Sequence, residues 1–272
     1  MAALSVLMSV YLKEKPEYLD ECFKSLLRQT EKADEWVVVE DGPLSKEMYS
    51  LLDRYQSAYP DLIRRIPLKE NQGLGIALSV GVPACKNDLI ARMDTDDIAR
   101  EDRFEKQLAL FQNDPDLDIC GSNIDEFEGD IGNIVAKRCV PSSHEEIVKY
   151  QKRRDAFNHM TVMYKKKAVL DAGNYKPCPL MEDTYLWARM IMNGARCANI
   201  AEPLVTARIG RDMFERRGGW SYFKKYRNGK KKLLKTGFIS LFDYCCTVAI
   251  QFVIALMPGK VRGFVFKRLL HR

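Results

Sequence analysis

Two short apolar runs that each finish on a carboxylate constrain this chain more than any other feature. Residues 36–42 read Trp-Val-Val-Val-Glu-Asp-Gly, and residues 88–94 read Asp-Leu-Ile-Ala-Arg-Met-Asp. Apolar runs of this length, bounded by turn signals, are strands buried on both faces, as in a parallel sheet covered by helices. A third run, 4–11, opens the chain, and a weaker one spans 62–68. Between the first two strands, the pairs Tyr18/Leu19, Cys22/Phe23 and Leu26/Leu27 recur every four residues and mark an amphipathic helix. Residues 75–84 and 100–112 read as helices as well. Such alternation predicts parallel strands joined by crossover helices.

Further along, 118–123, 134–140 and 204–209 read as strands. Residues 143–152 and 181–193 read as helices, the second stopped by Gly194. No internal repeat interrupts the chain before residue 210. The expectation is one α/β domain over 1–215, a mainly parallel sheet flanked by helices, with a basic amphipathic helical appendage over 216–272. Charge separates the two parts. Residues 1–207 hold 27 Lys+Arg against 34 Asp+Glu, whereas residues 208–272 hold 16 against 3. An acidic body with a basic tail suits a polyanionic partner for the tail. Hydrophobic residues at 46% exclude a disordered or collagen-like chain. The eight cysteines form no C-x-x-C pair, which argues against a zinc ribbon and fits a reducing, cytoplasmic setting. The first run has no basic residue ahead of it and is too short for a secretory signal, so it is expected to be a buried strand.

Ligands of open parallel sheets sit beyond the carboxyl ends of the strands, which directs attention to Asp41 and Asp94. Asp94 opens the cluster Asp94-Thr95-Asp96-Asp97. Carboxylates crowded at a strand end repel one another unless a cation compensates, and Mg²⁺ or Mn²⁺ bridging to substrate phosphate would do so. The alternative is that Asp97 caps the next helix and the rest are solvated. Asn71-Gln72-Gly73-Leu74-Gly75 could bring backbone N–H groups close to a ligand, but Leu78 occupies the third glycine place of a dinucleotide fingerprint. Glu182-Asp183 opens a helix, where acids are favoured by the dipole whether or not one serves as a general base. His159 is a further contact for phosphate, metal or substrate, with a structural role as its alternative.

In this order the pieces resemble the family 2 glycosyltransferases of bacterial capsule, exopolysaccharide and O-antigen synthesis, which have the GT-A fold, a Rossmann-like sheet. The resemblance runs over about residues 4–215 through Ser5–Tyr11, Glu40-Asp41-Gly42, Asn71–Gly75, Met93–Asp97, Glu182-Asp183-x-x-Leu186-Trp187 and Arg208. It implies an inverting, single transfer from a nucleotide-sugar, expected to be a UDP-sugar, to a glycan acceptor. By the same resemblance Asp41 and the backbone of Ser9, Val10 and Tyr11 hold the nucleobase, and Asn71 and Gly73 belong to the donor pocket. Asp94 and Thr95 face the donor, Asp96 binds Mn²⁺ or Mg²⁺, Asp183 is the catalytic base, and Glu182 and His159 contact donor or acceptor. Arg208 and Arg211 are expected phosphate clamps, since guanidinium matches phosphate bidentately. The Q-x-x-R-W motif and multiple spans of processive synthases are missing.

In the tail, Lys224, Lys225, Arg227, Lys230, Lys231, Lys232 and Lys235 precede an apolar stretch over 238–257. Its uncharged run, 244–257, has 14 residues, fewer than the ~20 a spanning helix needs. Asp243, Thr247 and Gln251 form one polar stripe at four-residue spacing. An interfacial helix on an anionic membrane surface is expected, peripheral on the inner face of the cell membrane, where a polyprenyl-diphosphate-linked acceptor would reside. A second basic amphipathic segment, 260–272, continues the pattern. The other solution is a hairpin packed on the enzyme body or on a homodimer partner. No motif supports nucleic-acid binding. Two rival functions stay open: a sugar nucleotidyltransferase, disfavoured because residues 12–16 contain no glycine, and an inert membrane-bound scaffold with the same fold.

Overall fold

The computed structural model describes residues 3–210 and 218–258. Strands β1 (Leu4–Val10), β2 (Glu35–Glu40), β3 (Ile63–Pro67) and β4 (Leu89–Arg92) form a parallel half-sheet in the order β3-β2-β1-β4. Helices α1 (Pro16–Leu27), α2 (Lys46–Ala58) and α3 (Leu74–Ala84) make the crossovers. β1 and β2 are apolar on both faces because each face is covered. Leu4, Val6, Met8 and Val38 belong to a core with Phe23, Leu26 and Trp36, while Leu7, Val37 and Val39 belong to a second core with Ala77, Leu78 and Val82. Helix α3 approaches β1 closely at Gly81, where a Cβ would come within 2.3 Å of the Leu7 side chain.

After β4 the sheet turns mixed. β5 (Ile98–Ala99), α4 (Arg103–Asn113), β6 (Leu117–Phe127) and β7 (Ile134–Arg138) follow, then α5 (His144–Gln151), a 3₁₀ turn (His159–Thr161) and β8 (Met163–Lys165). α6 (Lys166–Asp171), α7 (Glu182–Met192) and β9 (Arg196–Arg208) complete the body. β8 enters antiparallel between β4 and β6, and the order continues β8-β6-β9-β5. β9 starts eight residues ahead of the expected 204–209 strand. It runs parallel to β6 through register shifts at Ser122/Asn123, opposite Pro203.

The alternative in which Asp97 caps the following helix does not hold: a two-residue strand comes next, and Asp97 Oδ1 accepts the backbone N–H of Arg208 at 2.8 Å. Two helices follow the body, α8 (Gly219–Thr236) and α9 (Leu241–Leu256). α8 packs on α7 through Leu233, Ala188 and Met181, with Phe238 and Ile239 filling the corner between α8 and α9. Ser240 and Asp243 close a reciprocal cap at the start of α9. No helix among the described residues is long and apolar enough to cross a membrane. Residues 211–217, which include Arg211, Arg216 and Arg217, and the second basic segment lie outside the described residues.

Candidate active site

The carboxyl ends of β1, β2 and β4 open onto a cavity of about 350 Å³. Ser9, Tyr11, Asp41, Asn71 and Gly73 line its β1–β2 side, and Asp94, Thr95, Asp96 and Glu14 line the other. Two larger cavities, each about 620 Å³, lie elsewhere and do not gather these carboxylates. Val10 does not reach the cavity with its side chain, which is fully buried in the core; its carbonyl accepts the Asp41 N–H at 2.8 Å.

Asp41 organises the glycine turn. Its carboxylate accepts the backbone N–H groups of Gln72 at 2.7 Å and Gly73 at 3.0 Å, and Asn71 Nδ2 donates to its carbonyl at 3.2 Å. Gly42 makes this possible: at φ +86° it lies in the left-handed region, and a Cβ would sit 2.5 Å from Asn71 N. Gly75 is also a contact residue, since a Cβ there would meet Glu182 Cγ at 2.6 Å. Its small size therefore seats Glu182 on the start of α3.

Around Asp94 the chain buries charge. Arg92 is 0% exposed, and its Nη2 lies 3.0 Å from Asp94 Oδ1 while Nη1 lies 3.8 Å from Asp183 Oδ2. These are charge contacts; none of its three side-chain nitrogens has an aligned hydrogen bond. Burial opposes the Arg92 charge, but Asp183 and Asp94 more than offset that and hold the guanidinium protonated. His159 makes the same bridge from the solvent side, Nε2 at 2.9 Å from Asp94 and Nδ1 at 3.7 Å from Asp183. Burial pushes Asp94 upward, yet Arg92 and His159 pull it well below the usual carboxylate range. Asp183 sits in the first turn of α7 and accepts the Tyr175 hydroxyl at 3.2 Å. Arg103, also fully buried, donates to the Arg92 carbonyl at 2.7 Å and to Gln107 at 3.0 Å, so α4 fixes the strand end that carries Asp94.

The acidic turn fits a hard divalent cation. Asp94, Asp96 and Asp97 each present an oxygen within 4.8 Å of the others. Burial pushes Asp96 up to about 7, with repulsion from Asp94 and Glu14 added; burial also raises Asp97, helped by Asp96 and Asp94. Raised carboxyls in an all-oxygen cluster are what Mg²⁺ or Mn²⁺ would stabilise in the charged form. Arg208 does not join this opening as a free clamp. Its guanidinium pairs with Glu21, donates to the Asp96 carbonyl at 3.2 Å and lies 3.9 Å from the centre of the Tyr18 ring, so it braces the acidic turn from behind.

The sequence thus marked the residues brought together here, apart from Glu14, Glu21, Arg92, Arg103, Gln107 and Tyr175. Arg92 carried a signal: a charge inside an otherwise apolar buried strand is rare without a partner, and it shares a face with Asp94 two residues on. Glu14, in the loop beyond β1, obeys the strand-end rule as well as Asp41 does.

A parallel half-sheet with an acidic turn at its carboxyl edge, continued by a mixed half-sheet whose flanking helix α7 supplies a carboxylate, defines the GT-A fold. The Glycosyl transferase family 2 model matches residues 5–170, and the chain belongs to that family. It is 40% identical over 268 residues to the amylovoran biosynthesis glycosyltransferase AmsE of Erwinia amylovora, covering 97% of this chain and 98% of that one. It is 33% identical to an Escherichia coli UDP-Gal:alpha-D-GlcNAc-diphosphoundecaprenol beta-1,3-galactosyltransferase, covering 98% and 96% of the two chains. Among solved structures, the mannosyltransferase PcManGT of Pyrobaculum calidifontis with GDP-Man and Mn²⁺ superposes at TM-score 0.64 and 12% identity, over 98% of this chain and 75% of that one.

Proposed function

We propose that the protein is an inverting, metal-dependent hexosyltransferase that moves one sugar from a UDP-sugar to a lipid-linked glycan in surface polysaccharide synthesis. The convergence of Asp94 and Asp183 on Arg92 and His159 supports this proposal, because the two carboxylates to which donor contact and proton transfer are assigned share the same cationic partners. Asp41, Asn71 and Gly73, with Ser9 and Tyr11, hold the nucleoside, and Asp94 with Thr95 faces the ribose and sugar. Asp96 holds the cation. When bound, Mn²⁺ or Mg²⁺ supplies positive charge to the diphosphate that leaves with the nucleotide.

Asp183 takes the proton of the acceptor hydroxyl as its oxygen bonds to the anomeric carbon and the bond to the diphosphate oxygen breaks. Tyr175 and Arg92 hold this carboxylate in place, since a base must be positioned before its basicity matters. Glu182 and His159 contact the sugars beside it. The named acceptor of the Escherichia coli relative supports a diphosphate-linked lipid, and eight free cysteines suit the reducing cytoplasmic side of the membrane. Incubation with UDP-sugars, Mn²⁺ and lipid-linked acceptor tests the proposal: UDP is released with the wild type and not with Asp183→Asn. Release of pyrophosphate from a nucleoside triphosphate would instead assign a nucleotidyltransferase, and no release of either would assign a scaffold.

A further inference from the structure

Helix α9 is mounted inside out. Its polar stripe faces the protein: Asp243, Thr247 and Gln251 are buried, Asp243 pairs with Arg153 at 2.6 Å, and Thr247 meets Tyr226 of α8. Its apolar residues face outward, with Leu241 65%, Phe242 66%, Ile250 61%, Val253 54% and Leu256 67% exposed. Water penalises such an arrangement in proportion to the apolar surface left exposed, so a face this continuous marks a contact.

Charge beside that face identifies what it contacts. At the start of α9 the Arg153 guanidinium lies 5.5 Å from the centre of the Phe242 ring, and with the exposed Lys149, Lys152 and Arg154, which outnumber the one exposed acid there, Glu146, it lines a cavity of about 620 Å³ that reaches Asp243. Near the far end Trp220, 55% exposed, packs edge-on against Phe252 at 6.4 Å, and Lys224 lies 5.8 Å from the Trp220 ring. Between residues 218 and 258 there are seven Lys+Arg, all but the buried Lys230 reaching the surface, and a single acid, Asp243, which Arg153 already neutralises. An apolar strip with aromatics at its margin and cations at both ends matches the boundary between acyl chains and anionic headgroups. A second copy meeting this face through the same hairpin would have to bring a matching acidic rim, and the single acid of residues 218–258, Asp243, is buried against Arg153.

We propose that the outward face of α9, with Trp220 and the basic turn 149–154, docks on an anionic lipid bilayer. Docking also orients the active site. α8 packs on α7, and Asp155 beside the basic turn hydrogen-bonds Thr184, the neighbour of Asp183, so the base is fixed relative to the lipid plane. That this orientation serves a lipid-linked acceptor rests on the function proposed above; the docking itself does not.

The test uses the full chain and vesicles of phosphatidylcholine alone or with phosphatidylglycerol, free of acceptor and nucleotide-sugar, so that its outcome is independent of transferase activity. Trp36 and Trp187 are buried, which makes Trp220 the reporter of any fluorescence change on vesicle addition. Phosphatidylglycerol vesicles are expected to shift emission to the blue and sediment the protein, with partitioning roughly ten-fold or more above that on phosphatidylcholine. Phe242→Ser with Leu256→Ser, and separately Lys149→Glu with Lys152→Glu, each reduce partitioning by roughly ten-fold while UDP release with a water-soluble acceptor stays at the wild-type rate. Variants that bind as well as the wild type would overturn the proposal. So would a concentration-dependent dimer, abolished by the serine pair, in a protein indifferent to vesicles.

Discussion

The acidic turn and the last helix reverse the usual distribution of side chains in opposite senses. At the turn, charged groups are buried: Arg92 and Arg103 are fully enclosed, and Asp97 nearly so. On α9, apolar groups are exposed while Asp243, Thr247 and Gln251 are covered. A buried charge persists only with partners, and a continuous exposed apolar face persists only where something other than water covers it. Elements away from these two obey the ordinary rule, as α1 does in turning Leu19, Cys22, Phe23 and Leu26 inward. Departures from simple burial, more than the fold itself, locate what the molecule does.

The comparison breaks most easily at the turn. Asp183→Asn should lower turnover by roughly 10²–10⁴-fold while nucleotide affinity, read by calorimetry, changes little. Unchanged turnover would remove Asp183 from the proton transfer. Arg92→Met leaves Asp94 and Asp183 without their buried counterion and should cost about 3–5 kcal/mol in a denaturant titration. Adding Asp94→Asn should recover part of that loss, which a purely steric role for Arg92 would not allow.

A smaller effect sharpens the electrostatics. Asp96, raised to about 7 in the metal-free turn, is increasingly protonated as pH falls through that value, and the cation needs the charged form. Mn²⁺ affinity should therefore drop by roughly ten-fold between about pH 8 and about pH 6, with proton release on binding at the lower pH. Affinity that ignores pH across this range would detach the metal from Asp96. The smallest effect falls on α9: Phe242→Ser should leave folding stability within about 1 kcal/mol, because this side chain, 66% exposed, loses little native packing beyond its contact with Arg153. A loss of several kcal/mol would mean that the face is covered by the protein's own structure.

The parallel half of the fold was legible because its central strands β1 and β2 are buried on both faces, and runs such as Trp36–Val39 announce that condition locally. The mixed half was less so. β5 and β8 have two and three residues, too few for any periodicity, and Glu202-Pro203 disguised the middle of β9 as a break. Helix α2 went unmarked although Met48, Leu51, Leu52 and Tyr55 have helical spacing. In the site, Asp41, Asp94 and Asp96 could be found from strand ends alone. The link from Arg92 to Asp183 spans 91 positions and exists only once β4 and α7 are brought together, so no local pattern encodes it. The polar stripe of α9 was equally plain in the sequence, but whether it faced in or out depended on Arg153 and Tyr226, which lie on other elements.

The central claim is that a divalent cation joins the acidic turn to the nucleotide diphosphate. A crystal soaked with Mn²⁺ and UDP tests it directly. The ion should appear roughly 2.0–2.3 Å from an Asp96 carboxylate oxygen and from the diphosphate, with the uracil beside Asp41. Density for ion and nucleotide away from Asp96, in crystals that remain active, would contradict it.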